Sequence, residues 1–91
     1  MASKEQRFYG TGRRKESTAR VWVKEGNGEI TVNGREVDNF FPRASLRYQI
    51  QMPLDAIEQR GKIDVIATVR GGGNSGQAGA IRHGMSRALV E

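Results

Sequence analysis

The chain has 91 residues, no cysteine, 36% hydrophobic and 27% charged residues, and a formal net charge of +5. That length is one domain with a modest core, burying roughly 60–65% of the surface its unfolded chain exposes. The composition excludes a disulfide framework, a thiolate metal centre and a cysteine nucleophile, its apolar runs are too short for a membrane-spanning helix, and Met1 to Arg7 hold no signal-peptide-like apolar segment.

The charge is unevenly placed. Residues 1–24 carry seven Lys/Arg against two Asp/Glu, residues 25–69 five against seven, and residues 70–91 three against one. Two basic ends around a mildly acidic middle fit a molecule that holds one side against a polyanion, although ordinary solubility charge gives the same totals.

In chain order, residues 1–16 read as a basic arm outside the fold, with Gly10-Thr11-Gly12 ahead of Arg13-Arg14-Lys15. From Ser17 to Lys24, Ala19, Val21 and Val23 alternate with Thr18, Arg20, Trp22 and Lys24, the period of a half-buried strand. Glu25 to Gly28 form a turn, a second strand covers Glu29 to Val32, and Asn33-Gly34 is a hairpin signal leading to a short strand over Arg35–Val37. A helix over about 39–51, capped by Asp38 or Asn39, follows. Pro53 starts a second short helical piece over Leu54–Gln59, ended by Gly61. Lys62 to Arg70 is the clearest strand, with Ile63, Val65, Ala67 and Val69 on one face. Gly71 to Gly76 form a glycine-rich loop, and a last helix spans about Ser75 to Val90. These elements make an α+β fold, a small mixed sheet with helices on one face, with residues 17–91 as its single globular domain.

The loop Gly71-Gly72-Gly73-Asn74-Ser75-Gly76 follows a strand and opens a helix, so it satisfies the G-x-G-x-x-G pattern of dinucleotide sites. No later strand supplies an acidic residue for a ribose, and Gln77-Ala78 stand where a triphosphate loop needs Lys-Ser/Thr. Backbone amides at a helix start still attract phosphate, including that of a nucleic-acid backbone. A flexible loop with unusual dihedrals is the plain structural alternative.

In the last helix, Ala78, Ile81, Met85, Ala88 and Leu89 form the expected buried stripe, opposite Gly76, Ala80, His83 and Arg87. Gly76, Gly79 and Gly84 each cost ~1 kcal/mol against alanine in a helix interior. They serve either close packing on the sheet or close approach of RNA on the outer side, and the neighbouring His83 and Arg87 favour RNA. His83 is the only histidine, so no metal site is expected around it, and a hydrogen-bonding surface role fits it better than catalysis. Arg13, Arg14 and Lys15 offer bidentate and point-charge phosphate contacts, and cation runs also occur as solvated arms. Arg20 and Lys24 extend the charge along one strand face. Trp22 between them either stacks on a base or packs under a helix.

Two stretches closely resemble the bacterial or organellar family of small-subunit ribosomal protein nine. One is Tyr9-Gly-Thr-Gly-Arg-Arg-Lys15 followed by Ala19-Arg20-Val21. The other runs from Gly71 through Ser75, Gln77, Ile81, Arg82 and His83 to Gly84, continuing to Arg87-Ala88-Leu89. The resemblance extends from Tyr9 through Val32-Asn33 and Phe40-Phe41 to the end of the chain. It implies the fold of the second domain of ribosomal protein five, with a left-handed strand–helix–strand crossover, against the usual right-handed rule. It implies a structural constituent of the small ribosomal subunit, not an enzyme, without cofactor or metal. Its partners would be the 3′ domain of small-subunit ribosomal RNA and neighbouring proteins of the subunit head, in a cytoplasmic or organellar ribosome. By the same carry-over Arg13, Arg14, Lys15 and Arg20 touch RNA. Arg70, Gly72, Gly73, Asn74, Ser75, Gln77, Arg82, His83 and Arg87 form a second contact surface. The family's long basic C-terminal tail, which reaches the peptidyl-tRNA site, has no counterpart here, so no tRNA contact is expected of these residues. Two rival readings are a small kinase-like domain using the glycine loop for ATP and a protein-docking module built on Phe40, Phe41 and Tyr48.

Overall fold

The computed structural model describes residues 7–59 and 61–90. In chain order these form β1 (Arg7–Arg14), β2 (Ser17–Glu25), β3 (Ile30–Val32), β4 (Arg35–Glu36), α1 (Val37–Phe40), α2 (Ala44–Ala56), β5 (Ile63–Arg70) and α3 (Asn74–Val90). The five strands make one mixed sheet in the order β1-β2-β5-β3-β4. β3 and β5 run parallel and the other pairings are antiparallel. With its helices, this is the expected α+β class.

Alternation decides which side of the sheet is covered. Ala19, Val21 and Val23 of β2, Val65, Ala67 and Val69 of β5, and Ile30 and Val32 of β3 are buried. They meet Leu46, Ile50 and Leu54 of α2 and Ala78, Ile81, Met85 and Ala88 of α3 in one core. The helices therefore share one layer, and among the described residues the opposite sheet face carries no helix.

The sequence signals of β2, β5 and α3 correspond to elements within a residue or two. At Asn33-Gly34 both residues take positive φ, 52° and 80°, as a tight hairpin requires, and Val32 pairs with Arg35. The Asn33 side chain also accepts from the Val69 N–H at 2.9 Å and donates to the Val69 carbonyl at 3.2 Å, extending the ladder past the end of β3.

Three expectations need correction. Residues 1–16 do not stand wholly outside the fold, because from Arg7 the chain is an edge strand paired with β2 along its full length; residues 1–6 lie outside the described residues. The helix expected over 39–51 is split. α1 stops at Phe40, since Pro42 disfavours helical backbone at Phe41, and α2 starts at Ala44 with Arg43, not Asp38 or Asn39, at its N-cap. Pro53 does not start a new piece but sits inside α2, which ends at Ala56. Leu46, Ile50 and Leu54, four residues apart, form one continuous buried stripe on both sides of Pro53. Its burial offsets the ~3 kcal/mol an interior proline costs.

Candidate nucleic-acid interface

Two glycine sets determine how the basic residues are presented. On β1, Gly10 and Gly12 face the helix layer, and a Cβ on either would collide with backbone of α3. The collision is with Gly84 and Ala88 for Gly10, and with Ala80 and Gly84 for Gly12. From the helix side, a Cβ on Gly84 would lie 2.8 Å from Val21 Cγ2, one on Gly79 2.8 Å from Arg14 Cγ, and one on Gly76 3.0 Å from Ser17 Oγ. The glycines of α3 are thus spent on close packing against β1 and its turn. The reading that turned Gly76 and Gly79 outward, towards RNA, is overturned: both are buried, as is Ala80. Gly10 and Gly12 likewise bring β1 down onto its own domain.

The same seam brings the basic hairpin tip to the glycine loop. Arg14 pairs with Ser17, leaving Lys15 and Glu16 as the turn, with Lys15 at φ 57°. That conformation is unfavourable for a side chain of this type and marks a turn held in place by its surroundings. Ser17, buried, donates from Oγ to the Gly71 carbonyl at 2.8 Å, and Gln77 Nε2 donates to the same oxygen at 3.1 Å. A Cβ on Gly71 would strike the Glu16 carbonyl, and one on Gly72 would strike Ser17 Oγ; both glycines have positive φ. Gly73 is open, with nothing within 4 Å of where its Cβ would be. Behind it the first-turn amides of α3 begin, and Gln77 N–H donates to the Gly73 carbonyl at 2.9 Å.

Around this end lie the cations named from the sequence. Arg14, Lys15 and Arg82 are exposed. Arg13, Arg14, Gly79, Arg82, His83 and Ser86 line a shallow cleft of about 350 Å³ between β1 and α3. Arg20 and Arg70, also exposed, lie on the uncovered sheet face beside Thr18 and Thr68, around a second open cleft of about 440 Å³. Asn74 and Ser75 are exposed at the start of α3.

His83 and Arg87 have work inside the fold. β1 is a sheet edge, and such edges leave backbone groups unpaired. His83 Nδ1 accepts from the Arg13 N–H at 3.2 Å, and Arg87 Nη1 reaches the Thr11 carbonyl at 3.5 Å. Among the described residues, no three side chains of His, Cys, Asp or Glu converge as metal ligands would.

Sequence reasoning missed two participants. Ser17 ties the hairpin to the loop, and nothing in a lone serine at a strand start marks it. Tyr9 packs against Trp22 across β1 and β2, ring centroids 5.1 Å apart and planes tilted by 43°. That pair becomes visible only once residues 7–14 are recognised as a strand.

At the far end of the sheet the chemistry changes sign. Asp64 Oδ1 accepts three backbone N–H bonds, from Asn27 at 2.9 Å, Gly28 at 3.0 Å and Glu29 at 2.9 Å. Burial raises its pKa, but those three donors and the charge of Lys24 outweigh it, and the carboxyl is held below its ordinary value. The β2–β3 turn is therefore anchored on a carboxylate of the chain itself. The basic β1–β2 turn and the glycine loop lie at the opposite end.

Compared with known families, residues 12–91 match the model described as ribosomal protein S9/S16.

Proposed function

We propose that this chain, which belongs to the ribosomal protein S9/S16 family and is accordingly a structural ribosomal protein, holds ribosomal RNA chiefly through one basic end. That end consists of the β1–β2 turn and the loop before α3. The RNA bound is the 3′ domain of the small-subunit RNA, in the head of the subunit among other proteins of that region. Arg13, Arg14, Lys15, Arg20, Arg70 and Arg82 supply positive charge. Gly72, Gly73, Asn74 and Ser75 present backbone amides to phosphate oxygens. Gln77 steadies the loop, and His83 and Arg87 hold the β1 edge while bordering the same surface.

The observation that carries this reading is the Ser17 Oγ to Gly71 carbonyl hydrogen bond of 2.8 Å. It ties a cationic turn to an amide-lined loop that follows it by more than fifty residues. Separately, either element is an ordinary surface feature; joined, they form one cationic patch at one end of the two-layer fold. No nucleotide-dependent reaction is assigned, since the inner side of the loop is filled by Ser17 Oγ and no lysine follows Gly76.

The test is electrostatic. With ~4–6 phosphates engaged, log K for a ribosomal RNA fragment falls with log salt at a slope of roughly −3 to −5. Binding that ignores ionic strength contradicts the proposal.

A further inference from the structure

The uncovered sheet face is ordered in rows, because residues paired across antiparallel strands share a face. At the end nearest the turn, Arg13 pairs with Thr18 and Thr18 with Arg70. In the next row Arg20 pairs with Thr68. One row further, Tyr9 pairs with Trp22. Rows are two residues apart along a strand, ~7 Å, within the reach of one nucleotide from base to phosphate. Tyr9 is 43% exposed and Trp22 is half-buried, so their rings are only partly used by each other. Among the described residues the guanidinium groups of Arg20 and Arg70 have no hydrogen-bond or ion-pair partner.

We propose that this face is a seat for an unpaired stretch of RNA. A base stacks on the Tyr9–Trp22 pair while its flanking phosphates lie against Arg20 and Arg70. The inference rests on the reading of the chain as an RNA-binding ribosomal protein and adds which nucleic-acid structure this second surface takes. Helical RNA hides its base faces, so an aromatic pair on an open sheet gains by stacking only from bases that are not in a helix. The two rows beside the aromatic pair hold three arginines and only threonines otherwise, with no carboxylate. That charge disfavours an apolar or basic surface, and the partly exposed aromatic pair one row away selects a phosphodiester strand with free bases over an acidic protein surface. Asp64 and its anchored turn begin beyond the aromatic row and limit the seat at that end.

Trp22 is the only tryptophan, so the fluorescence of the full chain reports on this seat alone. The probes are a labelled single-stranded oligoribonucleotide without self-complementarity and the same sequence annealed to its complement, with binding followed independently by anisotropy. Expected is quenching of Trp22 by the single strand and none by the duplex. Trp22→Thr, a strand-compatible change on an uncovered face, should weaken single-strand binding about fivefold or more with little effect on the duplex. Trp22→Phe should restore part of the loss, which a merely structural role would not require. The inference is overturned if the single strand binds with Trp22 unquenched, or if Trp22→Thr leaves its affinity unchanged. If neither RNA binds at low salt, the parent reading fails and takes this one with it.

Discussion

In the seam between β1 and α3, glycine is required by what touches it, whereas in the loop before α3 one glycine is touched by nothing. A Cβ on Gly12 would run into the backbone of Ala80 and Gly84, while one on Gly73 would meet open space. Both belong to the stretches that made the chain recognisable, yet their reasons differ. The seam glycines let a strand and a helix meet backbone to backbone, which orients the hairpin. Gly73 leaves room for a ligand to meet the backbone. A glycine-rich motif can thus combine close packing in one place with open backbone in another, and only the neighbours tell them apart.

Gly12→Ala is expected to break the seam outright. With backbone on the far side, neither element can give cheaply, and a loss of about 3 kcal/mol or more in a denaturant or thermal melt is the outcome. An unchanged melting temperature would mean that β1 is not packed on α3. Next in size is Asp64→Ala, which acts at the end of the sheet away from the β1–β2 turn and the glycine loop. Leaving three partly solvated N–H groups without their acceptor should cost about 1–2 kcal/mol. The wild-type contribution has a defined pH dependence. Because the folded-state pKa of Asp64 lies below its unfolded value of 3.8, this stabilisation is complete above that value and is lost as pH falls further through the folded one. A melting series in which the stability difference between the parent and Asp64→Ala shrinks as pH falls across that acid range would show it.

Arg13→Gln with Arg14→Gln sharpens the functional side of the comparison. Glutamine is the better replacement than alanine here, because the stem of Arg14 lies over Gly79 and contributes packing as well as charge. Removing two phosphate contacts should make the salt slope shallower by about 2, with stability changing by no more than about 0.5 kcal/mol. The smallest expected effect on stability is that of Gly73→Ala, within about 0.5 kcal/mol. Its effect on RNA binding should be larger than its effect on melting, the reverse of Gly12→Ala.

Much of the fold was legible because β2, β5 and α3 carry a clear hydrophobic period, and Asn33-Gly34 specifies its own turn. β1 was not legible, for the same physical reason that the α3 glycines were misdirected. A strand is recognised by apolar residues at its inward positions, and here those positions are Gly10 and Gly12, because the α3 backbone fills the space where side chains would go. Each half of the seam looks like a flexible or ligand-facing segment until the other is placed against it. The proline inside α2 misled similarly, since a local breaker is outweighed by a stripe that continues on both sides of it. For the site, residue types and charge were readable, but the junction of turn and loop through Ser17 depends on pairing between distant segments, which no local pattern encodes.

The most direct test uses photo-reactive side chains placed singly at positions 15 and 73 of the full chain within assembled ribosomal subunits, with cross-linked nucleotides then mapped. Expected are cross-links from both positions to ribosomal RNA, at nucleotides close together in the folded RNA. Cross-links that reach only protein, or that fall on widely separated RNA segments, would contradict a single phosphate-binding end.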